Sequence, residues 1–258
     1  MRAALFVTCM VDLFDPDVGD ATVEVLQAIG ADVEVPEGQT CCGQPAWNSG
    51  FARDAARVAA TTLTALEHSD ADVIVVPAGS CATMIKVFWP EMFEVTGDDD
   101  RAHGARALGT RVHELSELLE AHIDQLPPPA TFPADGAPVA YHHSCHMLRE
   151  LHVDAAPERL LDQAGVERVE WSADRRCCGF GGMFSFKLPE ASTAMADDKL
   201  TSLAETGCTD IVGCDTSCLL HLRARGEHEG VPVRTRHLSQ VLAETVRSRP
   251  SSVEDRGA

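Results

Sequence analysis

Eight of the ten cysteines in this 258-residue chain follow one pattern written twice. Cys9, the vicinal pair Cys41 and Cys42, and Cys81 reappear as Cys145, Cys177, Cys178 and Cys218, displaced by 136 residues for the first three and 137 for the last. A repeat that keeps thiols in register to within one residue, while most of the sequence between them differs, maintains two similar four-thiolate sites. Four converging thiolates hold a metal ion or a metal cluster. A lone buried cysteine is most often a small hydrophobe, an explanation that does not extend to eight in duplicate register.

The vicinal pairs narrow the chemistry. Neighbouring cysteines on an extended or turning segment point apart, so one loop can serve two irons of a cluster or two faces of one metal ion. Gly43 and Gly179 follow the pairs, and Gly181 and Gly182 extend the second loop. These four glycines are the candidate cofactor-binding residues, permitting close backbone approach and amide hydrogen bonds to cluster sulfides. A zinc site usually draws two ligands from Cys-x-x-Cys, but Ala78 and Asp215 stand three residues before Cys81 and Cys218. The dense cysteine run of ferredoxins is also missing, which leaves a cluster wrapped by loops, with zinc in one or both sites as the alternative. Cys208 and Cys214 lie outside the register and read as structural. His142, His143 and His146 flank Cys145, and His146 and Arg149 are the candidate catalytic residues, with no role assigned.

The elements that must position these thiols read as α/β. Ala3 to Thr8, Asp32 to Val35 and Val73 to Val76 are strand-like runs, each followed by a cysteine loop, with helical spacing from Asp20 to Ile29 and Asp54 to Glu67. The second half repeats the plan with strands at Val139 to His142, Val169 to Trp171 and Asp210 to Gly213, and helices at Pro157 to Gly165 and Pro189 to Gly207. The expectation is two pseudo-symmetric doubly wound α/β halves with short parallel sheets and cysteine sites at the carboxyl ends of the strands. The halves are assigned to residues 1–126 and 138–247, with a Pro-rich linker at 127–137 and a polar tail at 248–258.

Composition excludes other classes. Twenty-one Lys and Arg against 40 Asp and Glu leave a formal charge of −19, which repels nucleic acid and anionic membrane surfaces. The sequence has no apolar stretch of membrane-spanning length and no signal-peptide cleavage pattern after its first apolar run. Ten cysteines without an export signal point to metal binding in a reducing cytoplasm.

Gln39 to Pro45, Pro77 to Cys81, Tyr141 to Arg149 and Cys177 to Ser185 together resemble the cysteine-rich CCG-domain family, which includes the cysteine-rich subunit of heterodisulfide reductase and the iron-sulfur subunits of glycolate oxidase and anaerobic glycerol-3-phosphate dehydrogenase. Within it the chain is most similar to the lactate-utilization branch, over nearly its whole length. The resemblance implies an iron-sulfur protein, with one or two 4Fe-4S clusters, acting in L-lactate oxidation to pyruvate as one subunit of a three-protein complex that includes a ferredoxin-like iron-sulfur partner. The heterodisulfide branch completes each motif with Cys-x-x-Cys and five thiolates; here Ala78 and Asp215 leave four. A thiol-disulfide reductase and a glycolate oxidase-type subunit are the alternatives within the family. The sequence carries no dinucleotide, Walker or flavin fingerprint, so hydride acceptance is expected of a partner. The glycine-rich second loop and its histidines favour the second site as the catalytic centre or the place where electrons arrive, and the first as a relay or structural site.

Overall fold

A computed structural model describes residues 1–127 and 137–248. The linker expected at 127–137, apart from its two end residues, and the tail beyond Ser248 lie outside the described residues. The first half holds β1 (Arg2–Leu5), β2 (Asp32–Glu34), β3 (Val73–Val76) and β4 (Val112–Glu114), all parallel in the order β2-β1-β3-β4. The second holds β5 (Val139–His142), β6 (Arg168–Val169), β7 (Asp210–Gly213) and β8 (Arg234–His237) in the matching order β6-β5-β7-β8. The central strands are buried on both faces, which is why Val73–Val76 and Asp210–Gly213 read as short continuous apolar runs. Because all strands in a sheet run the same way, the loops after β1, β2 and β3 emerge at one edge, and so do those after β5, β6 and β7.

The helices Asp17–Ala28, Ala52–Glu67, Ala156–Gln163 and Pro189–Glu205 lie within a few residues of their expected positions. Strands β4 and β8 were not expected. Both are edge strands, and Val-His-Glu and Arg-Thr-Arg-His lack the apolar run that marks a buried strand. The helical stretch from Gly79 to Val95, with a π-turn at Met84–Phe88, and the helix Asp99–Gly109 were also unanticipated.

The two repeats are two sheets of one packed body. The last described helix, Leu238–Arg247, packs on Asp17–Ala28 of the first half, and Leu115–Ala121 packs on Ala156–Gln163 of the second. Val25, Leu26 and Leu118 share one buried cluster with Leu160, Val241 and Leu242. Each such side chain contributes about 1.5–3 kcal/mol on burial, so the junction is part of the core and not a hinge. Polar ties cross it too: Ser239 Oγ donates to the Val18 carbonyl (3.2 Å), and Gly79 N donates to the Cys214 carbonyl (3.3 Å).

Candidate metal centre

Short loops at the strand ends bring the cysteines together. Cys9 opens the helix Cys9–Phe14, whose first turn is capped by Thr8 Oγ accepting from Val11 N (3.3 Å). Cys9 Sγ stands 3.7 Å from Cys41 Sγ, and Cys42 Sγ 3.3 Å from Cys81 Sγ. In the second half Cys178 Sγ and Cys218 Sγ are 2.9 Å apart. Behind each vicinal pair the glycine has left-handed backbone, φ 86° at Gly43 and 91° at Gly179, and lies hard against a later helix, Ala52–Glu67 or Pro189–Glu205. A Cβ on Gly43 would sit 2.9 Å from the Ala55 carbonyl oxygen, and on Gly179 2.5 Å from that of Ser192. Two amides of the second loop point at sulfur, Gly179 N at Cys177 Sγ and Phe180 N at Cys178 Sγ, both 3.5 Å.

Each quartet contains one acidified thiol, the first of its vicinal pair. Hydrogen bonds from Cys42 and Cys9 pull Cys41 down to about 3, and those from Cys145 and Cys178 pull Cys177 down to about 2. The donors shift the other way: Cys9, Cys42, Cys145 and Cys178 are raised, first by giving that hydrogen bond and then by burial. Crowded thiols that cannot all ionise without a cation suit a metal or cluster centre.

All eight cysteines line one cavity of about 220 Å³, shared by the two halves. Met10, Pro45, Phe180, Met183 and Phe186 form an apolar part of its wall, with Phe186 77% exposed at the surface. His146 is also on the wall, its Nε2 3.3 Å from Gln44 Nε2 across the junction. Arg149, by contrast, is exposed and outside the cavity wall. His143 is buried and faces Asp154 (3.3 Å) and Glu158 (3.4 Å).

His142, at the end of β5, is the donor that sequence reasoning undervalued. Its ring is buried, both nitrogens lack a hydrogen-bond partner, and it converges with Cys178 and Cys218, the three ligand atoms lying within 4.8 Å of one another. Burial, then the nearby Lys199, holds its pKa well below the usual imidazole value, so the ring is neutral with a free lone pair. The signal was present as a histidine ending a strand beside a cysteine loop, but only the sheet decides which way a strand residue faces.

Asp215 is engaged elsewhere. Oδ1 accepts from Ser217 N (3.3 Å) and Ser217 Oγ (2.6 Å), capping its own helix Thr216–Glu229. Oδ2 accepts from Ser80 N (2.9 Å) and so caps Gly79–Thr83 in the other half, where the N-cap residue Ala78 has no side-chain acceptor. Cys214 is buried in the shared core, its Sγ 3.3 Å from Tyr141 Oη, and Cys208 Sγ lies 3.2 Å from the Pro138 carbonyl.

The cysteine-rich domain family, CCG, matches residues 3–86 and 139–223, one segment in each half. The chain is similar to the Lactate utilization protein A of Exiguobacterium sp., 39% identical over 247 residues, covering 95% of this chain and 98% of that one. It is similar as well to the Lactate utilization protein A of Geobacillus sp. (38% over 243 residues, 94% and 99% covered) and of Geobacillus kaustophilus (40% over 243 residues, 94% and 98% covered).

Proposed function

This chain belongs to the cysteine-rich CCG domain family, and on that premise we propose that it is the iron-sulfur, electron-transferring subunit of a multi-protein complex that oxidises L-lactate to pyruvate. The observation that carries the reading is the shared cavity: two thiolate quartets open on one space, so centres held there would be neighbours. Cys9, Cys41, Cys42 and Cys81 would hold one 4Fe-4S cluster, and Cys145, Cys177, Cys178 and Cys218 the other. One-electron transfer is the chemistry that such clusters supply when bound.

The chain's own residues do the rest. The amides of Gly179 and Phe180 orient the Cys177 and Cys178 thiolates and disperse their charge. The apolar wall at Met10, Phe180, Met183 and Phe186 limits water and offers a surface to a partner. Oxidation of lactate to pyruvate releases two electrons and two protons, and we assign the hydride or proton step to a partner subunit, with a ferredoxin-like iron-sulfur protein as electron acceptor. Among the described residues no helix is long and apolar enough to cross a membrane.

A second reading has an observation in its favour. Four thiolates around one zinc ion stand about 3.8 Å apart, a spacing that follows from a zinc-sulfur bond of about 2.3 Å. In the first half the sulfur pairs at 3.7 and 3.3 Å are near that value, but among the described residues no three of its four sulfurs lie within 4.8 Å of one another, the wider spread that a cluster needs. Metal and acid-labile sulfide analysis of anaerobically purified protein separates the two. Iron and sulfide in near-equal amounts are expected; stoichiometric zinc without sulfide overturns the cluster reading.

A further inference from the structure

Lys199 is fully buried, in the helix Pro189–Glu205, directly beneath the loop that delivers Cys177 and Cys178. Its Nζ donates to the carbonyls of Ala173, Asp174 (3.4 Å) and Arg176 (2.9 Å), and lies 4.4 Å from the centre of the Trp171 ring. Three carbonyl acceptors require three N–H donors, which an ammonium has and a neutral amine does not. The ring face adds a cation–π contact, attractive only to the charged form. Burial lowers the pKa to about 8, and the nearby Cys178, Cys218 and Cys177 oppose that shift.

The first half has no such charge. At the matching position of the repeat, 137 residues earlier as for Cys81 and Cys218, stands Thr62, a buried neutral hydroxyl that pins its own loop by accepting from Thr40 N (2.9 Å). A fixed positive charge beside a thiolate-ligated centre favours its reduced form, which carries one more negative charge. Carbonyl dipoles orient the ammonium but do not cancel a unit charge in a dry interior, where the interaction is stronger than in water.

We propose that Lys199 is a built-in positive charge that sets the reduction potential of the second cysteine site above that of the first. Lys199 acts through the loop and its field; it is a tuning residue that does not touch the cavity. The proposal rests on the cluster reading above and makes the second site the better electron acceptor of the pair.

The test uses the full chain, purified anaerobically with its metal in place, and follows both midpoint potentials by EPR-monitored redox titration. A Cys42→Ser background leaves the second site's signal for assignment. Lys199→Met is expected to shift the second site's reduction equilibrium about tenfold toward the oxidised form, about 59 mV for one electron, with the first site unmoved. Lys199→Arg keeps the charge and is expected to stay within about threefold of the parent. Should Lys199→Met fail to hold its metal, Lys199→Gln, which keeps two amide donors for the loop, is read instead. Unchanged potentials in a loaded neutral variant overturn the proposal. Loss of the second centre from both neutral variants, with Lys199→Arg loaded, also overturns it by making Lys199 a structural prop. A parent protein without iron and sulfide refutes the cluster reading itself, a separate failure visible before any variant is made.

Discussion

The first and second cysteine sites place their thiols at matching positions of the repeat and differ in what surrounds them. Where the first half has Phe6 and Thr62, the corresponding positions of the second carry His142 and Lys199. Phe6 is buried hydrocarbon and Thr62 a buried neutral hydroxyl, whereas His142 and Lys199 are buried nitrogen donors within reach of the quartet or its loop. Loops that hold thiolates tolerate little change, because each ligand must meet the same point in space. The layer behind them is free to diverge, and divergence there changes the electrostatics of a site without changing its geometry.

The sharpest way to break this comparison is to remove a matched ligand from each half. In the reconstituted complex Cys178→Ser is expected to lower lactate-dependent electron transfer more than about 100-fold, and Cys42→Ser no more than about tenfold, magnitudes typical of damage to a metal site and of partial impairment. With circular dichroism showing both variants folded, the reverse ranking would exchange the roles assigned to the two sites.

A second contrast lies in the caps of the two closing helices. Glu114 Oε2 accepts from Ser116 N (2.8 Å) at the start of Leu115–Ala121, and His237 Nδ1 accepts from Ser239 N (3.1 Å) at the start of Leu238–Arg247. Both are fully buried, and burial drives them in opposite directions, Glu114 from 4.5 up to about 7 and His237 from 6.5 down to about 4. Stability linked to Glu114 is complete below pH 4.5 and is lost as pH rises through about 7. Stability linked to His237 is complete above pH 6.5 and is lost as pH falls through about 4, because a protonated Nδ1 no longer accepts the cap. Each change amounts to at most about 3.5 kcal/mol, at about 1.4 kcal/mol per pH unit. Unfolding free energies measured from about pH 4 to 8 are expected to flatten on the alkaline side in Glu114→Gln and on the acid side in His237→Asn. Curves superimposable on the parent would refute the assignment.

The glycines behind the vicinal pairs give a graded test. Gly179→Ala meets the Ser192 carbonyl at 2.5 Å and Gly43→Ala the Ala55 carbonyl at 2.9 Å, both with positive φ. Destabilisation of about 2–3 and about 1–2 kcal/mol is expected from urea midpoints, in that order. Equal losses would mean that backbone conformation dominates and the closer approach in the second half is irrelevant. The smallest effect belongs to the cap shared across the junction. Asp215→Asn leaves one acceptor oxygen for two helix starts and is expected to cost about 1 kcal/mol. Ala78→Ser, at a helix already capped by Asp215, should change stability by less than about 0.5 kcal/mol.

Much of this architecture was legible in residue order. The duplicate cysteine spacing announced two sites, and Val73–Val76 and Asp210–Gly213 announced the central strands, because apolar runs and strand-end loops are local features. Strands β4 and β8 were missed because edge strands keep polar residues on their open side. Asp215 stood three residues before Cys218, and a carboxylate there can cap a helix or face a metal, a choice that spacing does not make.

By itself the sequence determined which thiols stand at matching positions and that the pattern occurs twice, since each strand-loop-helix unit carries its own cysteine wherever it folds. Only the tertiary structure decided that the two quartets face a single cavity, that Asp215 caps a helix in each half, and that His142 and Lys199 approach the second quartet alone. Those relations join residues brought together by packing of one half on the other or of a helix beneath a loop. The direction of a side chain out of a sheet or helix is set by what the element packs against, and no local spacing encodes it.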